Sequence, residues 1–387
     1  MVVCPHTCCK FMQLFQKIKP LCVRTQLFCI FVLYDLKMAQ QLTIKQIAEL
    51  AGVSVGTVDR VLHNRGRVSE EALAAVRSVL DKESYKYNLH TSAVAFKRTK
   101  KSFDIAVAIP SSQPGEYWDL IKTGIDAGFA EYGDISLKCK YVFFDQFNSI
   151  SCREAFRSIN EKDFSAAIIG TTFVDETLEL CQRLDKANVP YAFVDGKVQG
   201  TNPVAIYHAD QKCCGRLLAH LLDAFTPDEA EIAIMLPRRT GTQLSNNSAI
   251  RLGAFMDYFK ESGSRRSIKE GHFPTDNPEA IRKEVSDFIG QNPKVRGIAV
   301  VISTGYMICD ALSACGINGI RIGGFDVTQG NARCVREGSL DFLINQHPDK
   351  QGFQAVESTL HYLLYGTPDK SFDEYLPIDI AFKENLC

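Results

Sequence analysis

From Phe103 onward the apolar residues fall in short runs separated by stretches of helical period. The runs are Ile105–Pro110, Lys138–Phe144, Ala166–Gly170, Tyr191–Asp195, Ile232–Pro237, Gly297–Ile302, Ile320–Phe325 and Phe342–Asn345. Between them apolar positions recur every three or four residues, as over Tyr117–Tyr132, Glu176–Ala187, Gln211–Ala224, Asn247–Glu261, Pro278–Gly290 and Lys350–Leu364. Near-continuous apolar strands alternating with amphipathic helices predict parallel sheets covered by helices. There are too many runs for one ordinary open sheet, so two lobes are expected.

Residues 42–98 follow a different rule. Thr43 with Gln46 three residues on is a capping box, in which each side chain satisfies a free backbone N–H. Ile44, Ile47, Ala48 and Ala51 then share one face of a predicted helix. Gly52 is placed to end it in a left-handed turn. Ser54 caps a second helix reaching about Leu62, with Val58, Val61 and Leu62 inward. Ser69 caps a third, with Leu73, Val76 and Leu80 inward. Two short helices across a glycine turn form a helix-turn-helix. An ordinary helical hairpin lacks the combined spacing of small Ala48, turn-forming Gly52 and apolar Val58.

Charge sharpens this division. The 387 residues carry a net charge of −1, but the sum hides an asymmetry. Residues 1–37 hold +4 and 38–102 hold +5, which leaves −10 on 103–387. A basic head before an acidic body points to a polyanion-binding module joined to a domain with another task. Hydrophobic residues at 45% and charged residues at 23% are ordinary globular values, and they exclude disorder. No apolar run reaches the roughly 20 residues of a membrane helix, so no membrane partner is expected. Five of the 14 cysteines lie in residues 1–37 and the rest are scattered, as buried free thiols are in a cytoplasmic protein. The leader 1–37 has no sustained period. Arg24 interrupts its apolar region and no small-residue cleavage site follows, which argues against a signal peptide. A short amphipathic anchor remains open, but the leader is read as a mis-assigned extension, with translation starting at Met38.

The run AGVSxxTVxRVL, then VSEE, then Tyr85-x-x-Asn88, resembles the head of the LacI/GalR (lactose-repressor) family of bacterial transcription regulators. That resemblance implies operator DNA as a partner. It places the second helix in the major groove, with Val55, Gly56 and Arg60 at base edges and Thr43, Ser54 and Thr57 on phosphates. An arginine there can make a bidentate contact with guanine. Val55 and Gly56 replace a polar pair common in the family, so readout there is apolar or absent. Residues 86–98 correspond to the family's hinge helix, with Asn88 in it and Val94 in place of the minor-groove leucine wedge.

The body lacks a phosphate-cradling GxxxxGK[ST] or GxGxxG, a GxSxG elbow and metal-ligand histidine spacing. Nothing marks an enzyme, and no cofactor or metal is expected. The body is similar to the two-lobed, type I periplasmic-binding-protein-like domain of the same family. The resemblance rests on IAVAIP followed by Tyr117-Trp118, on Asp210, on Arg251-x-Gly253, on GGFD ending at Asp326, and on INQHPDKQGFQAV. Strand C-termini of parallel sheets face the crevice, so the loops there bind ligand. Arg251 and Asp326 can bond vicinal hydroxyls, Tyr117 or Trp118 can stack on a sugar face or equally on a nucleobase, and Gln346, Asp195 and either Thr171 or Asn247 complete a polar shell.

The expected architecture is therefore α/β: a small all-α head (38–85), a hinge or linker (86–102) and a two-lobed effector domain (103–387). The expected function is a cytoplasmic, sequence-specific DNA-binding regulator, read as a repressor, under allosteric control by a small carbohydrate. The rival class, a sugar-transport solute-binding protein, shares the body but not the capped head. A homodimer is expected from operator symmetry. The tail DEYLPIDIAFKENLC is read as one last strand without the leucine heptads that make tetramers in some relatives.

Overall fold

The computed structural model describes residues 44–62, 68–82, 102–133, 136–240, 245–264, 266–366 and 373–386. The chain divides into two compact units, 1–88 and 89–387.

The head holds α1 (Ile44–Ala51), α2 (Val55–Leu62) and α3 (Glu70–Lys82). Its core is Ile47, Ala48, Val58 and Val76, with Ile44, Ala51, Val53, Val61 and Val79 packed at the edges. Gly52 adopts φ 65°, and Val53 N–H then bonds the Ala48 carbonyl at 3.0 Å. The left-handed turn, which a β-carbon would strain, thus satisfies a helix-end carbonyl. The Ser54 hydroxyl accepts from Thr57 N at 3.0 Å and the Ser69 hydroxyl from Ala72 N at 3.3 Å, the two caps that the sequence predicts. The third helix buries Val76 fully, while Leu73 is only half-buried. The leader, the start at Met38, the capping residue Thr43, and Asn88 and Val94 of the hinge lie outside the described residues.

The body opens with β1 (Ser102–Pro110), α4 (Tyr117–Glu131), β2 (Ser136–Phe144), α5 (Ser149–Arg157), β3 (Ala166–Gly170), α6 (Val174–Ala187), β4 (Tyr191–Val194) and β5 (Ala205–His208). It continues with α7 (Gln211–Phe225), β6 (Glu231–Pro237), α8 (Asn246–Glu261), β7 (Ile268–Phe273), α9 (Pro278–Gln291), β8 (Val295–Val300), α10 (Gly305–Ala314), β9 (Arg321–Phe325), α11 (Gln329–Glu337) and β10 (Phe342–Asn345). It closes with α12 (Pro348–Tyr365), β11 (Asp373–Tyr375) and β12 (Asp379–Ala381).

Two six-stranded sheets result, ordered β11-β5-β4-β3-β1-β2 and β12-β10-β9-β8-β6-β7. All pairings are parallel except β10 with β12. The chain enters the second lobe after β5, returns through α12, and splits its last two strands between the sheets. The expected last strand is therefore two pieces, because Pro377 lies between β11 and β12 and cannot donate to a ladder. The sequence pattern also missed β5, which is only four residues long, and β7. The polar alternation of β7 (IKEGHF) reflects an edge strand buried at only two positions. Helices α4 and α12 meet backbone to backbone. A β-carbon on Gly124 would lie 1.9 Å from the Asp349 carbonyl oxygen, and one on Gly352 would lie 2.2 Å from that of Ile121.

Candidate functional site

In the head, the exposed residues at the start of α2 are Ser54, Val55 and Gly56, with Arg60 exposed one turn later. Ser54 and Thr57 hydroxyls bond each other at 2.9 Å, so they sit together at the N-terminus of α2. A helix N-terminus favours a negative charge. Val58 is fully buried, and the helical period turns Gly56 and Arg60, each two residues from it, outward.

In the body, a cavity of about 300 Å³ lies between the lobes at the C-terminal ends of the strands. Tyr117, Trp118, Asp195, Asn247, Arg251 and Gln346 line it. Tyr117 Oη donates to Asp195 Oδ1 at 2.6 Å, and Asn247 Nδ2 bridges the lobes to the Asp195 carbonyl at 2.8 Å. Trp118 is nearly buried, edge-on to Tyr117, with its Nε1 donating to Gln146 at 3.1 Å. Asp195 and Asp326 both occupy left-handed backbone conformations, φ 76° and 60°, at the ends of β4 and β9. Such strain in non-glycine residues persists where the surroundings over-determine it, commonly at binding sites.

Arg251 is held rather than free. Nε donates to Gln211 Oε1 (2.7 Å), Nη1 to the Val301 carbonyl (2.7 Å) and Nη2 to Gln346 Oε1 (2.6 Å). Its guanidinium lies 3.9 Å from the centre of the Phe325 ring. Neither a surface carboxylate nor a direct bond to Asp326 holds it. Asp326 is fully buried and stands behind the cavity wall. It accepts from Ser303 Oγ at 2.6 Å and Gln346 Nε2 at 2.8 Å. Burial pushes its carboxyl up to about 6, with Arg251 and these hydrogen bonds opposing. Burial likewise raises Asp195, against the Tyr117 bond and the charge of Arg251.

The lobes are closed on one another. Thr240 N donates to the Phe147 carbonyl at 2.7 Å, Ser149 N to that of Thr240 at 3.1 Å, and Gln329 N to that of Gly115 at 3.0 Å. Glu116 bonds Tyr306, and burial raises its carboxyl despite that bond.

Two of the residues expected in the polar shell sit differently. Thr171 is buried beside the cavity, and its neighbour Thr172 lines it instead. Asp326 contributes through Ser303 and Gln346, which do line it. Sequence reasoning also missed Arg239, Ser303 and Tyr306. Arg239 and Ser303 each lie within three residues past a strand end. The rule that strand C-termini face the crevice would have found both.

This fold and cleft define a periplasmic-binding-protein-like body that follows a helix-turn-helix head. A family model described as a periplasmic binding protein domain matches residues 105–367, and that of the bacterial regulatory proteins of the lacI family matches residues 43–88. The chain belongs to the LacI/GalR family of regulators. It is 24% identical over 285 residues to the HTH-type transcriptional regulator DegA of Bacillus subtilis, covering 72% of this chain and 78% of that one. A putative LacI transcriptional regulator from Bacteroides fragilis superposes with a TM-score of 0.69 at 24% identity, covering 74% of this chain and 98% of that one. GanP, a glucose-galactose binding protein from Geobacillus stearothermophilus, superposes with a TM-score of 0.63 at 17% identity, covering 74% and 99%. At such identities the structural likeness shows the fold alone. The chain is thus a LacI-type DNA-binding transcriptional regulator with a sugar-binding-protein-like domain. No helix of the described residues is long and apolar enough to cross a membrane.

Proposed function

We propose that this regulator is a cytoplasmic homodimeric repressor whose operator affinity is set by a monosaccharide-sized effector bound between the lobes. The observation that carries this reading is the cleft itself. Asp195, Asn247, Arg251 and Gln346 converge with Tyr117 and Trp118 on one cavity at the strand C-termini. Mixed hydrogen-bonding groups beside aromatic faces suit a ring with polar edges and apolar faces. A volume at the lower end of the roughly 300–1,000 Å³ usual for ligand pockets suits a single ring. Arg251, already fixed by three neutral acceptors, is pre-organised for further bonds, which reduces the cost of binding. Asp326 acts through Ser303 and Gln346.

In the head (38–85), Arg60 reads a base, Val55 and Gly56 offer only apolar contact, and Thr43, Ser54 and Thr57 hold phosphates. Residues 86–102, with Asn88 and Val94, form the hinge that couples this head to the effector body (103–387). Effector that binds the closed lobes better than the open ones shifts the population of the DNA-binding form.

Fluorescence anisotropy on an operator selected from random DNA tests this reading. A binding monosaccharide should change operator affinity at least about fivefold, the low end of ordinary allosteric coupling. Arg251→Ala should abolish that response while leaving effector-free DNA binding intact. Operator binding that no ligand of the cleft alters would refute the allosteric reading.

A further inference from the structure

Arg239 is the one arginine lining the cleft, among the described residues, for which no hydrogen bond or ion pair is found. It follows the C-terminal end of β6, and its guanidinium stacks 4.4 Å from the centre of the Phe173 ring on the opposite lobe. Its Nε and Nη2 are both shut off from water and have no hydrogen-bond partner. The contrast with its neighbours is specific. Arg251 has three acceptors. The lining acids are also engaged, Asp195 by Tyr117 and Glu116 by Tyr306. The adjacent Arg238 is paired with Glu284 at the surface. Burial draws the guanidinium of Arg239 down to about 10, and Asp145 opposes that only through its field.

A buried donor without an acceptor carries its full desolvation cost, and a buried cation without a counter-charge costs more. Nε and Nη2 lie on the same edge of the guanidinium, and that edge matches two oxygens of one oxyanion in a bidentate fork. We infer that the effector carries an anionic group, a carboxylate or a phosphate, that pairs with Arg239 once the guanidinium turns its Nε–Nη2 edge, shut off in this closed form, toward the cavity. This rests on the reading of the cleft as the effector site and deepens it: the ligand class is an acidic sugar, not a neutral one. The ring would occupy the Asp195–Asn247–Arg251 side and the oxyanion the Phe147–Arg239 side. Phe173 holds the guanidinium plane and shields the pair from solvent, so the contact is screened little by salt.

Calorimetry and thermal shift on the full chain test this with three acidic probes and their neutral counterparts. The pairs are D-galacturonate with D-galactose, D-gluconate with D-glucitol, and D-glucose 6-phosphate with D-glucose. At least one acid should bind more tightly than its counterpart. Galacturonate or gluconate would name a carboxylate, and glucose 6-phosphate a phosphate ester. Arg239→Gln should weaken that acid at least about 30-fold, or about 2 kcal/mol, and change the neutral counterpart less than threefold. Arg239→Lys, which keeps the charge and loses the fork, should fall between. Ligand-free Arg239→Gln should melt no lower than the native protein, because it removes a half-buried cation whose two shut-off donors are unpaired. A fall of more than about 5 °C would instead give Arg239 a structural partner and overturn the inference. Neutral sugars binding as well as their acids would overturn it while leaving the sugar-cleft reading standing. No binding by any of the six would overturn both.

Discussion

The same substitution, glycine to alanine within a helix, should have opposite effects at two positions of the body. Gly124 lies inside α4 and Gly253 inside α8. In an exposed helix alanine gains about 0.8–1.0 kcal/mol over glycine, because the unfolded chain loses less freedom. At Gly253 a β-carbon meets nothing within 4 Å, so Gly253→Ala should raise stability by nearly that amount. At Gly124 the new methyl would lie 1.9 Å from the Asp349 carbonyl oxygen and 2.7 Å from its carbon. Both are backbone atoms, so no side chain can swing away. Ordinary contact requires α4 and α12 to part by more than an ångström. Overpacking of this kind costs about 1–3 kcal/mol or more, and loosening the neighbouring Gly352 contact adds to it. After the helix gain is subtracted, Gly124→Ala should lose up to about 2 kcal/mol, or more where the Gly352 contact is loosened as well. Urea denaturation of both variants, followed by circular dichroism, measures the difference directly. Asp349 also lies three residues beyond Gln346 at the return crossing, so Gly124→Ala should weaken effector binding in addition. A Gly124→Ala protein at least as stable as the native one would refute the packing of α4 on α12. A destabilised Gly253→Ala would show that the exposed side of α8 is covered by something.

Three other outcomes follow from the site and the head. Arg60→Ala should cost about 1–3 kcal/mol on a selected operator and relax preference at one base pair, whereas an equal loss on random DNA in gel shifts would make it a phosphate contact. Asp326 keeps its proton to about pH 6 in the folded state against 3.8 ordinarily. The native state therefore binds the proton more tightly, and this contribution to stability is complete below about pH 4. It falls away, by up to about 3 kcal/mol, as pH rises through about 6. Asp326→Asn should flatten that segment of a pH series of urea midpoints, and an unchanged slope would contradict the buried, raised carboxyl. Light scattering at micromolar concentration should give twice the chain mass, and a mass of one or four chains would defeat the dimer.

Local signals determined much of this protein from the sequence alone. Capping hydroxyls at Ser54 and Ser69, the glycine turn at Gly52 and the apolar spacing of Ile47, Ala48 and Val58 act within a few residues. The head was legible for that reason. Strands buried on both faces read as continuous apolar runs, so β1, β3, β6 and β10 stood out. Edge strand β7 and short β5 did not, because half-exposed or brief strands carry little pattern. Six of the residues that line the cleft were also named, Tyr117, Trp118, Asp195, Asn247, Arg251 and Gln346. The tertiary structure alone decided which atoms remain unsatisfied. The sequence could mark Arg251 and Asp326, but not that neutral amides hold the first, or that the second stands behind Ser303. Nothing local distinguishes Arg239 from the surface-paired Arg238 beside it. Their difference is made by Phe173, 66 residues from Arg239, and Glu284, 46 residues from Arg238, and only folding brings those neighbours together.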